Sequence, residues 1–111
     1  MKRLLTVLLA TIFLFFSNFT LPAIASDISN GAEVFSVHCA GCHINGGNII
    51  RRGKNLHKKA LQKYSMDSVE AIASIVTNGK NNMSAYKDRL TSQQIEDVAV
   101  YVLEQAETGW H

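Results

Sequence analysis

Apolar positions in this chain come first as a near-continuous block and then as stripes. Leu4 to Phe16 is almost wholly apolar and follows Lys2 and Arg3. With Ala23-Ile24-Ala25 behind it, the pattern is that of an export signal: basic n-region, apolar stretch, A-x-A cleavage site. The block is shorter than the ~20 residues a membrane-spanning helix needs, which sets an uncleaved anchor aside as the alternative. Residues 1–25 are therefore expected to be removed and 26–111 to form one small domain. Within it, Gly31, Val34, Phe35 and His38 share one face of a helix running toward Cys39, with Asp27, Ser29 and Asn30 as candidate caps. Val69, Ile72, Ala73 and Val76 follow the i, i+3, i+4, i+7 rule after a cap at Asp67 or Ser68. Asn78-Gly79 ends that helix, with the glycine suited to a left-handed position. Thr91 caps the last helix, Gln94 stands at the capping-box position, and Ile95, Val98, Ala99 and Val102 repeat the stripe. A short basic helix is predicted from Leu56 to Tyr64, with loops over 44–54 and 80–89. No segment alternates as a strand does, and neither a repeat nor a linker interrupts the chain. The fold class is all-α, with about four short helices.

Composition changes this picture little. Lys and Arg total 11 against 9 Asp and Glu, and loss of Lys2 and Arg3 with the signal brings the two into balance. A neutral domain gives no support to a polyanion-binding role such as DNA binding. A domain this small buries a thin core, so a large apolar cofactor would supply what its side chains cannot.

The chemistry is concentrated in Cys39-Ala40-Gly41-Cys42-His43. Two thiols three positions apart, with an imidazole directly after the second, suit covalent attachment of a c-type haem. Each thiol adds across one vinyl group, and His43 reaches the iron from the proximal face. A distal ligand is then needed, and a thioether there favours Fe(II) and raises the reduction potential. Met83, in a loop between two helices late in the chain, is the candidate; otherwise it is an ordinary apolar loop residue. Met66, beside Asp67 at the start of a helix, is the competing sulfur and serves as well as a staple or core contact. His38 reads as a surface or packing residue, His57 as a solvated one among lysines, and His111 as frayed. A bis-His iron through His57 is a further alternative. Two readings without haem use the same cysteines. A thioredoxin-like Cys-x-x-Cys belongs between a strand and a helix, and no strand is predicted. A zinc site could draw on Cys39, Cys42 and two histidines, but Cys42 and His43 are sequence neighbours and no H-x₃₋₅-H pair follows them.

The mature region resembles cytochrome c6, the class I c-type carrier of the thylakoid lumen, along its whole length. Asn30-Gly31-Ala32 with Val34-Phe35-Ser36 is similar to that family's opening helix, and Cys39 to His43 to its haem motif. Val76-Thr77-Asn78-Gly79-Lys80 with Met83 resembles the segment of its distal ligand. Ile95 to Ala99, Tyr101-Val102-Leu103 and Gly109-Trp110 resemble its last helix and ending. The resemblance implies one haem c, with Cys39 and Cys42 as covalent links and His43 and Met83 as axial ligands. It also implies that Gly31 and Phe35 pack on Tyr101 where the first and last helices cross. The implied role is one-electron transfer from cytochrome f of the cytochrome b6f complex to photosystem I, by a monomeric carrier and not an enzyme. A single direct export signal argues against nuclear coding with a two-part transit peptide.

The sequence also departs from the family pattern. Ser84 follows Met83 where the family usually has Pro, so the loop is expected to be less stiff. Ile75 stands where the family usually has Gln near the haem, as in its lower-potential relatives, which makes Ile75 a potential-tuning position. The extra cysteine pair of the chloroplast c6A type is missing. Arg51, Arg52, Lys54, Lys58, Lys59 and Lys63 run without an intervening acid, while Glu96, Asp97, Glu104 and Glu107 put the opposite charge on the last helix. Such a dipole can steer transient docking, although each residue alone reads equally as a solvated charge. Arg89 matches a family arginine near the docking surface and is the expected partner contact. Two other functions stay open. One is a low-potential carrier serving another acceptor, such as a respiratory cytochrome oxidase. The other is a haem-based sensor, for which the Pro-less Met83 loop is the support.

Overall fold

The computed structural model describes residues 1–16 and 26–111. Five α-helices follow in order: α1 (Lys2–Phe16), α2 (Ile28–His38), α3 (Lys58–Lys63), α4 (Val69–Asn78) and α5 (Ser92–Thr108). A single 3₁₀ turn spans Ile44–Gly46, and among the described residues the nearest thing to a strand is an isolated bridge between Lys80 and Met83.

The N-terminal apolar block is helical, but it adds nothing to the core. Leu4, Leu8 and Phe13 are exposed, and every core residue comes from the region after residue 33. No helix among the described residues is long and apolar enough to cross a membrane. The Ala23-Ile24-Ala25 cleavage site lies outside the described residues.

The domain is organised around the crossing of α2 and α5. Of the three candidate caps for α2, Asp27 does the work, its carboxylate accepting the Asn30 N–H at 3.0 Å. Gly31, Val34 and Phe35 form the buried face of α2. A Cβ on Gly31 would overlap the main-chain carbonyl of Asp97 and lie 2.9 Å from the Cβ of Tyr101, so only glycine permits this approach. Phe35 then fills the crossing, with ring centroids 5.4 Å from Tyr101 and 5.1 Å from Trp110. Ser68 caps α4 through the Ala71 N–H, and Thr91 with Gln94 forms a reciprocal capping box on α5. Each such cap contributes about 1 kcal/mol. Ile72 and Val76 of α4 meet Ile95, Val98, Ala99 and Val102 of α5 in the core, with Leu61 of α3 and Met66 of the following turn against them.

Four expectations are corrected. Asp97 is not part of a charged outer face: it is 1 % exposed and binds the start of α2. Its oxygens accept from the Asp27 N–H, the Asn30 amide and the Gln93 amide, each at 2.8 Å. Burial pushes this carboxyl up, but the hydrogen bonds outweigh it and hold the group below its ordinary value. Gly79 has positive φ (70°) but ψ of 172°, the mirror-extended region rather than the left-handed helical one. The α3 helix is shorter than predicted because His57 still has extended backbone and Tyr64 has left the helical region. His111 is held rather than frayed, its N–H donating to Gln105 Oε1 at 3.0 Å.

Candidate haem-binding site

The Cys39–His43 segment is a tight corner at the end of α2. Cys39 closes the helix with its N–H on the Phe35 carbonyl at 2.9 Å. Its own carbonyl accepts the N–H groups of Cys42 (3.2 Å) and His43 (2.9 Å), folding the two thiols and the imidazole into one turn. Both cysteines are free; Cys39 is half-buried and Cys42 exposed. Burial, with a smaller contribution from Cys42, pushes the Cys39 thiol up to about 11. A thioredoxin-type cysteine owes its reactivity to a depressed pKa, and Cys39 is shifted the opposite way.

The His43 ring is fixed by the loop that follows. Its Nδ1 lies 2.8 Å from the Gly47 carbonyl oxygen. A carbonyl can only accept, so Nδ1 carries the proton and the Nε2 lone pair is left for a metal. Gly47 is itself placed by the Ile44–Gly46 turn, which needs positive φ at Asn45 (51°) and Gly46 (75°). At Gly46 a Cβ would overlap the indole of Trp110. Trp110 in turn donates from Nε1 to the Leu56 carbonyl at 3.1 Å, and the Leu56 N–H donates to the Gly46 carbonyl at 2.7 Å. The Cys39–His43 corner is thereby clamped to the end of α5. Ile44, Ile49 and Ile50 leave an exposed apolar rim beside it, with the Ile49 N–H on the Cys42 carbonyl at 3.1 Å.

Met83 sits in a turn closed by two main-chain hydrogen bonds with Lys80, each 3.0 Å. Asn81 takes positive φ (53°), a conformation asparagine tolerates better than most residues. A Cβ on Gly79 would lie 2.6 Å from the Met83 carbonyl, which explains why the unusual backbone there is glycine. Met83, Ile75 and Cys39 are all half-buried against the same core cluster. Each of the three, the first thiol, the candidate sulfur ligand and the candidate tuning residue, thus lies against the domain core. Arg89 is exposed and stacks over the Tyr86 ring with 4.1 Å between guanidinium carbon and ring centroid. His38 meets the same ring edge-on, as a packing residue, and His57 is exposed. Among the described residues no group of three or more His, Cys, Asp or Glu side chains could hold a metal ion.

The donor set fits a haem iron: an imidazole whose Nδ1 is engaged by a carbonyl, leaving Nε2 to face a metal, a half-buried thioether, and two unpaired thiols one turn from the imidazole. Sequence reasoning missed Tyr86, whose hydroxyl bonds the His38 carbonyl, and the full role of Trp110. Neither belongs to an apolar stripe, so periodicity carries no signal for them.

A helical domain with a Cys-x-x-Cys-His corner after its first helix and a sulfur-bearing turn before its last defines the class I c-type cytochromes. The family described as cytochrome C oxidase, cbb3-type, subunit III, matches residues 26–102. A protein of Nostoc sp. (strain PCC 7120) named cytochrome c6-like is 66 % identical, with 99 % of each chain covered. The cytochrome c6 of the same organism is 50 % identical, again over 99 % of each. The crystal structure of cytochrome c6C from Synechococcus sp. PCC 7002 is 60 % identical with a TM-score of 0.71, covering 73 % of this chain and 99 % of that one. The chain belongs to the cytochrome c6 family and is an electron carrier that uses a c-type haem.

Proposed function

We propose that residues 26–111, freed by cleavage after Ala25, carry one electron on a single haem c held by thioethers to Cys39 and Cys42, with His43 and Met83 as axial ligands. Bound haem supplies a reversible Fe(II)/Fe(III) couple. The protein supplies fixed ligands: Gly47 orients His43, and the Lys80–Met83 turn carries the thioether. With His43 and Met83 both engaged, no position would stay open for a substrate, and the bound haem would exchange electrons without bond chemistry. The observation that carries this reading is the His43 Nδ1 contact with Gly47, which selects the tautomer an iron ligand requires. In the thylakoid lumen the donor is cytochrome f of the cytochrome b6f complex and the acceptor photosystem I, with Arg89 at the docking surface.

A second reading keeps the site and changes the acceptor. The chain is more similar to the c6-like protein of Nostoc than to the c6 of that organism, 66 % against 50 %. Ile75, packed against the core, stands where the family usually has Gln; losing a polar group there shifts the potential, and the resemblance to the lower-potential relatives gives the shift its downward sign. A low-potential carrier would feed another acceptor, such as a respiratory oxidase. A spectroscopic redox titration of the haem-loaded protein separates the two. A high potential with the far-red sulfur-to-iron band fits transfer to photosystem I. A markedly lower potential with that band intact keeps Met83 and moves the protein to the second reading. Absence of the band removes Met83 as ligand.

A further inference from the structure

The Met83 turn lacks the proline that would stiffen it, yet it is tied to the rest of the domain at one neighbouring residue. Tyr86 is half-buried and bonded at three points. Its N–H donates to the Val76 carbonyl in α4 at 2.9 Å, and its carbonyl accepts the N–H groups of Arg89 and Leu90 at 2.9 Å each. Its hydroxyl crosses 48 positions of sequence to donate to the His38 carbonyl at 3.0 Å. His38 directly precedes Cys39, so this last bond joins the segment after Met83 to the start of the Cys39–His43 corner. Above the ring lies the Arg89 guanidinium, at 4.1 Å, and the His38 ring meets it edge-on at 5.9 Å.

We propose that Tyr86 is a positioning residue that holds the Met83 turn over the haem site, its hydroxyl bond to His38 supplying the stiffness that Ser84 does not. The inference rests on the reading of Met83 as distal ligand. Without the hydroxyl bond, the segment from Met83 to Ala85 keeps its own turn but loses its tie across to the proximal corner, and the thioether swings away more often. The Tyr86 hydroxyl is engaged by the His38 carbonyl, so the residue acts through the loop and not as a ligand.

Tyr86→Phe removes the hydroxyl and keeps the ring under Arg89. The test is the rate at which added imidazole replaces the distal ligand in the oxidised, haem-loaded protein, followed by loss of the sulfur-to-iron band. A half-buried hydrogen bond to a backbone carbonyl is worth enough to make opening roughly fivefold faster in Tyr86→Phe. Asp97→Asn, which weakens the α2–α5 junction through Asp27, Asn30 and Gln93 and touches no residue of this loop, serves as control and should leave the imidazole rate unchanged while lowering the unfolding temperature. An unchanged rate in Tyr86→Phe, with the band present in the unmodified protein, overturns the role of Tyr86 and leaves Met83 in place. An equal acceleration in Asp97→Asn overturns it too, because the effect is then one of general stability. If the unmodified protein has no sulfur-to-iron band, the Met83 reading fails and takes this inference with it.

Discussion

Replacing Asp97 by Asn tests the buried carboxylate that joins α2 to α5. The side chains are isosteric, so the perturbation is one of charge and hydrogen-bond polarity. In the native protein one oxygen accepts from the Asp27 N–H and the Gln93 amide, and the other from the Asn30 amide. An asparagine keeps the first oxygen but presents its NH₂ to the Asn30 NH₂. Asn30 must then turn its amide over, and all three bonds lose their charge assistance. Bonds to an ionised group contribute about 1.5–3 kcal/mol each and do not add simply, so a net loss of about 2 kcal/mol is expected at neutral pH. In a domain of this size that lowers the unfolding temperature by about 8–16 °C.

The pH dependence gives the sharper check. The folded carboxyl lies below its unfolded value of about 3.9, so its contribution is complete above that value and is lost as pH falls through the lower folded one. Asparagine does not titrate there. Calorimetry of the haem-loaded protein and of Asp97→Asn should therefore show a gap at neutral pH that narrows in acid. A gap that stays constant, or none at all, would refute the assignment of stability to this group.

The other predictions are simpler. Gly31→Ala forces a Cβ into the Asp97 carbonyl and should destabilise the domain by about 3 kcal/mol or prevent its folding, as read by denaturant unfolding. Met83→Ala should give a folded, red protein with a lowered potential and new binding of carbon monoxide to the reduced form; an unchanged spectrum and potential would place the distal ligand elsewhere. Arg89→Glu should slow electron transfer to the acceptor at low ionic strength and leave the haem spectrum alone, since the side chain is exposed beside Tyr86. Equal rates for the two proteins across the salt series would take Arg89 out of the interface.

Helix positions were readable because the stripes Ile72–Val76 and Ile95–Val102 keep helical spacing and the caps at Ser68 and Thr91 use side chains made for that purpose. The Cys39–His43 corner was readable because its chemistry is written in adjacent residues. What lay beyond the sequence was long-range pairing. Asp97 falls between two stripe residues and looks like any solvated acid on a surface helix. It is buried because its neighbours on the same face, Gln93 and Tyr101, point toward α2, and because Gly31 lets α2 come close enough to cover it. The tie from Tyr86 to His38 joins a loop to the last residue of α2, two segments whose local sequences say nothing of each other. The Lys80–Met83 bridge is too short to impose an alternation that could be read as a strand.

The clamp of Trp110 on Gly46 sets an order of events. A chain made and delivered from its N-terminus presents the two thiols and His43 long before Trp110 is available to seal the turn behind them. Until then Gly46 has no indole against it and Leu56 has no side-chain donor on its carbonyl. The corner therefore stays accessible until Trp110, far downstream of His43, arrives to close it. That order leaves an interval for an attachment reaction, and the arrival of Trp110 ends it.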